Sequence, residues 1–202
     1  MATRQKVTAR EAQRLATRER LFTAAVAELK RAGVGAADVG TIVGEAGVAH
    51  GTFFFHFPTK EHALAELGHR EEIRMAGELD GFLKTRRTLE ETLSEVLRLS
   101  AGLERRLGPV LYKDLIALYF APTRDELRLW PEHPFIGRVV TEFGLARERG
   151  EITDDPAIDP ADAAVFFFMG FFALQVTYER SAARTALLEH AMAVVLRGLE
   201  VR

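Results

Sequence analysis

The chain has 202 residues, with 27 lysines and arginines against 29 aspartates and glutamates, so its net charge of −2 gives no global positive field toward nucleic acid. Hydrophobic residues make up 48% of it, enough for a sizeable core and for a small domain beside a larger one. The absence of cysteine excludes a disulfide framework and thiolate chemistry. The opening MATRQKVTAR lacks the apolar run of a signal peptide, and the apolar run from Ala163 to Leu174 is short for a bilayer span. A cytoplasmic chain with no membrane partner is expected.

Charge is unevenly distributed. Arg4, Lys6, Arg10, Arg14, Arg18, Arg20, Lys30 and Arg31 face only Glu11, Glu19 and Glu28 in the first thirty-one residues, a locally basic start on a slightly acidic chain. Thr8-Ala9-Arg10-Glu11 has the form of a capping box, so a helix is expected to begin there. Arg10, Arg14 and Arg18 then recur every four residues on one face, which reads either as a solvated basic face or as an arm along a nucleic-acid groove. Leu21, Phe22, Ala25, Val26 and Leu29 form an apolar stripe at helical spacing, ended by Gly33 and Gly35.

The stretch from Val39 to Lys60, VGTIVGEAGVAHGTFFFHFPTK, carries the sharpest signal. Asp38 suits an N-cap, and Val39, Ile42, Val43 and Ala46 give one buried helical face. Gly47 stands where a helix ends in a left-handed residue, Val48 re-enters the core, and a second helix runs from about His50 until Pro58 stops it. Two short helices around a glycine turn form a helix-turn-helix, a motif whose second helix can enter a DNA major groove. Consecutive helical residues point about 100° apart, so Phe53, Phe54, Phe55 and Phe57 cannot share one core. Phe53 and Phe57 are four apart and are assigned inward, which leaves His50, Gly51, Thr52, Phe54, Phe55 and His56 outward. Hydroxyl and imidazole groups can bond base edges or phosphates, and aromatic edges can touch thymine methyls.

The fixed offsets of Gly47-Val48, Gly51-Thr52 and Phe53-Phe54-Phe55-His56-Phe57-Pro58-Thr59-Lys60-Glu61, leading into Leu64, resemble the TetR/AcrR family of bacterial transcriptional regulators. The resemblance covers residues 17 to 67, and beyond them only the helical layout agrees. It implies a homodimer that binds a palindromic operator on double-stranded DNA and releases it when a small molecule enters the larger domain. It also implies that Lys60 meets a phosphate. The chain departs from the family in two places: Ala49 stands where a Ser or Thr opens the recognition helix, and Phe54 stands where a Tyr reaches a phosphate. With Thr41 on the first helix, the expected DNA-binding set is Arg14, Arg18, Thr41, His50, Gly51, Thr52, Phe54, Phe55, His56 and Lys60.

After Thr59, a long helix with Leu64, Leu67, Ile73, Met75, Leu79 and Phe82 runs to Lys84 and would join a DNA-binding domain, 1–58, to a larger domain, 59–202. His62, Glu66 and His69 share one of its faces without a further ligand nearby, and no metal or other cofactor is expected. A capping box at Thr88 and Glu91 opens a helix carrying Leu89, Leu93, Val96, Leu99, Leu103 and Leu107, and Gly108-Pro109 starts the next. A short helix from Thr123, a rigid loop at Trp130-Pro131-Glu132-His133-Pro134, a helix from Phe135 to Ala146 and two closing helices, about 161–179 and 182–201, complete an all-α chain.

The helix AAVFFFMGFFALQV is apolar all round, so both of its sides must be covered. Phe168, Phe171, Phe172 and Gln175 point into the domain. Phe166, Gly170, Ala173 and Thr177 form the opposite face, with small residues that permit close approach by a second copy of the chain. Met75, Phe82, Tyr112, Trp130, Phe135, Phe143, Phe168 and Phe171 are the side chains available to line an apolar ligand cavity, with Gln175 as an orienting hydrogen-bond partner. No nucleophile elbow, P-loop or HExxH helix is present, so no enzyme is expected. The expected function is that of a repressor released by a small apolar ligand. The rival readings are a helical binding protein or enzyme with an incidental helix-turn-helix, and a regulator that answers to a protein partner.

Overall fold

The computed structural model describes residues 8–119 and 133–200, which contain helices and their connections and no strand. In chain order the described helices are α1 (Ala9–Ala36), α2 (Val39–Ala46), α3 (His50–His56), α4 (Lys60–Phe82), α5 (Leu89–Leu107), α6 (Pro109–Tyr119), α7 (Pro134–Glu148), α8 (Pro160–Thr177) and α9 (Ala182–Gly198). The helix expected from Thr123 and the loop bearing Trp130 lie outside the described residues. One compact unit ends at Gly68 and the other begins at His69, so α4 contributes to both. The division at Pro58 follows the end of the motif; the compact unit also takes in the first turns of α4, because Ala63, Leu64 and Leu67 are buried.

In the first unit, Thr8 caps α1 by accepting the Glu11 N–H at 3.2 Å. Leu21, Phe22, Ala25 and Leu29 are buried along its inner face. The helical path breaks at Gly33, whose φ of 74° is open to glycine at no Cβ cost, and the Ala37 N–H closes the turn onto the Gly33 carbonyl at 3.0 Å. Glu28 is buried beside this turn. Its carboxylate accepts two bonds from Arg31, both 2.7 Å, and the Asp38 N–H at 3.0 Å. These donors, Arg31 first, hold its carboxyl below the usual range. One carboxylate thereby ties the end of α1 to the start of α2.

The second unit is built around α8, which packs against α7 on one side and α9 on another. Leucines 89, 93, 99, 103 and 107 with Val96 bury one stripe of α5, whose start carries the expected reciprocal Thr88–Glu91 capping box. Asp159 caps α8, accepting the Ala161 N–H at 2.8 Å, and Pro160 takes the first helical position. Among the described helices α8 alone is long and apolar enough to cross a membrane. The fold instead uses its inner side as core. Phe167 stacks on Phe171 at 5.9 Å, Phe168 on Phe172 at 5.6 Å, and all four rings are buried.

Candidate DNA-binding face and ligand domain

The helix-turn-helix forms from local chemistry at each junction. Asp38 Oδ2 accepts the Thr41 N–H at 2.8 Å and its hydroxyl at 3.0 Å, and these bonds hold the Asp38 carboxyl below its usual range. Gly40, which costs helix propensity, has a reason to be there: a Cβ at this position would sit 3.0 Å from Asp38 Oδ2. Gly47 adopts the left-handed conformation at φ 65°, ψ 43°. Its N–H reaches back to Gly44, and the Val48 N–H reaches the Val43 carbonyl at 3.1 Å, which closes α2 before α3 starts. Ala49 precedes α3 without any side-chain cap.

On α3 the four phenylalanines separate as their spacing predicts. Phe53 and Phe57 are buried, with Phe57 6.4 Å from Phe22 of α1. Phe54 and Phe55 are 46% and 73% exposed. Each exposed ring meets a histidine, Phe54 with His50 at 5.5 Å and Phe55 with His56 at 5.1 Å, so the outer face presents two aromatic–imidazole pairs. Gly51 and Thr41 are exposed and Thr52 is half-buried on the same motif. Burial pushes the His56 imidazole below its usual pKa, and the charges of Arg18 and Arg14 push it further. Arg14 therefore stands near the end of α3.

Two cations of the expected set have partners inside the unit. Arg18 makes a two-pronged ion pair with Glu66 of α4, and its guanidinium lies over the Phe57 ring at 4.7 Å from the centroid. Lys60 donates to the Ala37 carbonyl at 2.8 Å and to the Gly35 carbonyl at 3.2 Å, clamping the chain between α1 and α2. Arg14 is exposed. Glu66 is thus engaged by Arg18 and His62 by the Thr59 hydroxyl at 3.0 Å, and no group of three metal-ligating side chains occurs among the described residues.

In the second unit, Met75, Tyr112, Phe135, Phe143, Phe168, Phe171 and Gln175 are all buried. Phe135 meets Phe168 at 6.4 Å, and Gln175 accepts the Tyr112 hydroxyl, so these expected ligand-lining residues also pack on one another. Phe82 is half-buried under the Arg87 guanidinium, 4.5 Å from its centroid, and Trp130 lies outside the described residues. On the opposite face of α8, Phe166, Gly170, Ala173 and Thr177 are exposed, joined by Met169.

Sequence reading missed three polar arrangements in this unit. Glu104 of α5 and Arg184 of α9 form a buried two-pronged pair, in which Arg184 also donates to the Gln175 and Tyr178 carbonyls at 3.3 and 3.2 Å. Glu72 of α4 accepts from Tyr119 and bonds His133 Nδ1 at 2.8 Å through one oxygen, while its other oxygen is buried without a partner. Burial, then the Glu72 charge, drives the Tyr119 hydroxyl well above its usual pKa. A cleft between α5 and α9 is the third. Only Glu104 left a trace in the sequence, as an acid one residue beyond Leu103 on the stripe that ends at Leu107.

Comparison with known proteins adds to this geometry. Residues 21–67 match the profile of the bacterial regulatory proteins of the tetR family. This stretch is a TetR-family domain. No curated protein matches the chain in sequence. Among solved structures, Thermus thermophilus FadR, a TetR-family repressor in complex with lauroyl-CoA, is 24% identical with a TM-score of 0.76, covering 92% of this chain and 96% of that one. Bacillus subtilis FadR in complex with stearoyl-CoA is 19% identical over 90% of this chain and 99% of that one, with a TM-score of 0.69. RolR in complex with resorcinol is 19% identical over 95% and 91%, with a TM-score of 0.71. At these identities the likeness establishes the TetR-like fold across the second unit as well as the first.

Proposed function

We infer that the chain is a DNA-binding transcription regulator, a repressor that leaves a palindromic operator when a small apolar molecule enters the second unit. The observation that carries this reading is the outer face of α3: two exposed phenylalanines paired with two histidines, on a helix held by a tightly specified helix-turn-helix. An exposed aromatic face of this kind is unfavourable in water and gains by meeting a partner. The exposed strip of α8 from Phe166 to Thr177 supports a homodimer on the same argument, since it continues an apolar helix whose other side is core. The protein would act in the cytoplasm, where its DNA is.

The similar structures hold lauroyl-CoA, stearoyl-CoA and resorcinol, which favours an acyl or aromatic ligand for this chain too. Such a ligand acts on DNA binding through α4, the helix common to both units; displacing it against Met75 or Phe82 would change the separation of the two recognition helices. Those helices must lie about 34 Å apart to meet successive major grooves. Operator selection from random duplexes tests the reading directly. A two-fold symmetric site should emerge, and His50→Ala or Thr52→Ala should relax its sequence preference. A chain with an incidental helix-turn-helix would select no site and would not bind random duplex at low salt. Reciprocity tests the ligand: saturating operator must weaken its binding by the factor by which it weakens the operator.

A further inference from the structure

The cleft between α5 and α9 has a volume of about 500 Å³. Two contacts between the helices mark its ends. Ser94 of α5 meets Met192 of α9 at 3.9 Å, and ten residues along α5 the Glu104 carboxylate meets Arg184. The helices are therefore antiparallel here, and ten residues of α-helix span roughly 15 Å. Toward the first end Leu97, Leu188 and Met192 supply the apolar side chains, flanked by Ser94, Arg98 and Glu189. Toward the other the lining is cationic and polar, with Arg105 on the last turn of α5 and Arg180 just ahead of the Ser181 cap of α9.

The floor at the polar end is built from side chains that cannot move away. Arg184 and Gln175 are 4% and 2% exposed, and both line the cleft. Glu104 neutralises Arg184, and Glu95 holds Arg98 through bonds of 2.7 and 2.6 Å. Arg105 and Arg180 have no carboxylate partner among the described residues. Tyr112 takes the Gln175 carbonyl oxygen, which leaves the Gln175 amide N–H groups as donors. Glu189 lies on the Met192 side of the lining, away from Arg180, and its negative charge disfavours a second negative group on the occupant's tail.

We propose that this cleft binds an amphiphilic monoanion, a carboxylate with an unbranched apolar tail, its head between Arg105 and Arg180 and its tail running toward Met192. Head recognition comes from two guanidinium groups with free donors, and tail recognition from apolar area removed from water. The site is separate from the Phe135–Phe168 core, and it does not rest on the DNA-binding reading, because it is tested without DNA.

The chain contains four methionines, Met1, Met75, Met169 and Met192, so methyl NMR of the full-length protein labelled at methionine separates the possible sites. Decanoate is the probe and decanol its neutral counterpart. Titration with decanoate should shift the Met192 methyl saturably, while decanol binds more weakly. The exposed-residue double variant Arg105→Gln with Arg180→Gln should weaken decanoate roughly tenfold and leave decanol unchanged. A saturable shift at Met75 or Met169 with Met192 stationary would place the anion elsewhere and overturn the proposal. So would equal affinity for decanol, or a double variant that binds decanoate as the parent does.

Discussion

Lys60→Ala separates two roles that one ammonium can hold together. In the structure Lys60 Nζ bonds the Ala37 and Gly35 carbonyls at 2.8 and 3.2 Å, and these belong to the stretch that leaves α1 beyond the Gly33 kink and positions the Asp38 cap of α2. A hydrogen bond from a charged donor contributes about 1.5–3 kcal/mol when shielded, and partial exposure lowers that, so losing both should cost about 1–2 kcal/mol. For a chain of this length the melting temperature should fall by about 2–8 °C. Two of the three ammonium protons are engaged, which leaves one for a phosphate. Losing one phosphate contact reduces the slope of log affinity against log salt by about 0.9. The assay is operator and random-duplex binding by fluorescence anisotropy across a salt series, at a temperature where the variant remains folded, with Lys60→Arg as the charge-retaining control. An unchanged melting temperature in Lys60→Ala refutes the carbonyl clamp. An unchanged salt slope in folded Lys60→Ala refutes the phosphate contact and confines Lys60 to the clamp.

Three further outcomes follow from named contacts. Arg184→Met leaves Glu104 as a buried unpaired carboxylate and should destabilise by about 3–5 kcal/mol in denaturant unfolding, whereas adding Glu104→Leu should recover much of that loss; a double variant no better than the single one would contradict the pair. The native pKa of His56 is depressed, so the unfolded chain binds more protons in the window below about 6.5; stability should fall as pH drops through that window and level off below the native pKa, and His56→Gln should flatten the fall of melting temperature there. Gly170→Arg places bulk and charge on the exposed α8 strip and should yield monomer or insoluble chain, while parent protein that sediments as a monomer at micromolar concentration would sink the dimer.

The first unit was legible in the sequence because its contacts are local. Capping residues lie within three positions of the N–H groups they bond, Gly47 marks its own turn, and 100° spacing alone sorts Phe53 and Phe57 from Phe54 and Phe55. The same rule separated the two faces of α8. What could not be read were pairings between distant positions. Arg18 meets Glu66 forty-eight residues away and Arg184 meets Glu104 eighty residues away, and no periodicity encodes which arginine finds a carboxylate. The same holds for Lys60, whose acceptors are backbone carbonyls and leave no residue signature at all. The cleft between α5 and α9 depends on how the two helices pair, which neither helix specifies alone.

These distant pairings bear on how the first unit would hold DNA. Three arginines spaced four residues apart, Arg10, Arg14 and Arg18, suggested one continuous basic face on α1, but the side chains divide by environment. Arg18 is half-buried, paired with Glu66 and stacked on Phe57, so its charge is compensated and its position fixed. Arg14, one turn earlier, is exposed, and its charge reaches His56 at the end of α3. An ammonium or guanidinium already neutralised by a carboxylate releases few counterions from DNA, whereas a free one releases nearly a full complement. Arg14→Ala should therefore lower the salt slope by about 0.9 with little change in melting temperature. Arg18→Ala should instead destabilise the unit, because it removes the two-pronged pair with Glu66 and a cation from the Phe57 face, and should change the slope far less. Equal slope changes from the two variants would mean that the Glu66 pair opens when DNA binds. Loss of stability from Arg14→Ala, with none from Arg18→Ala, would refute the division outright.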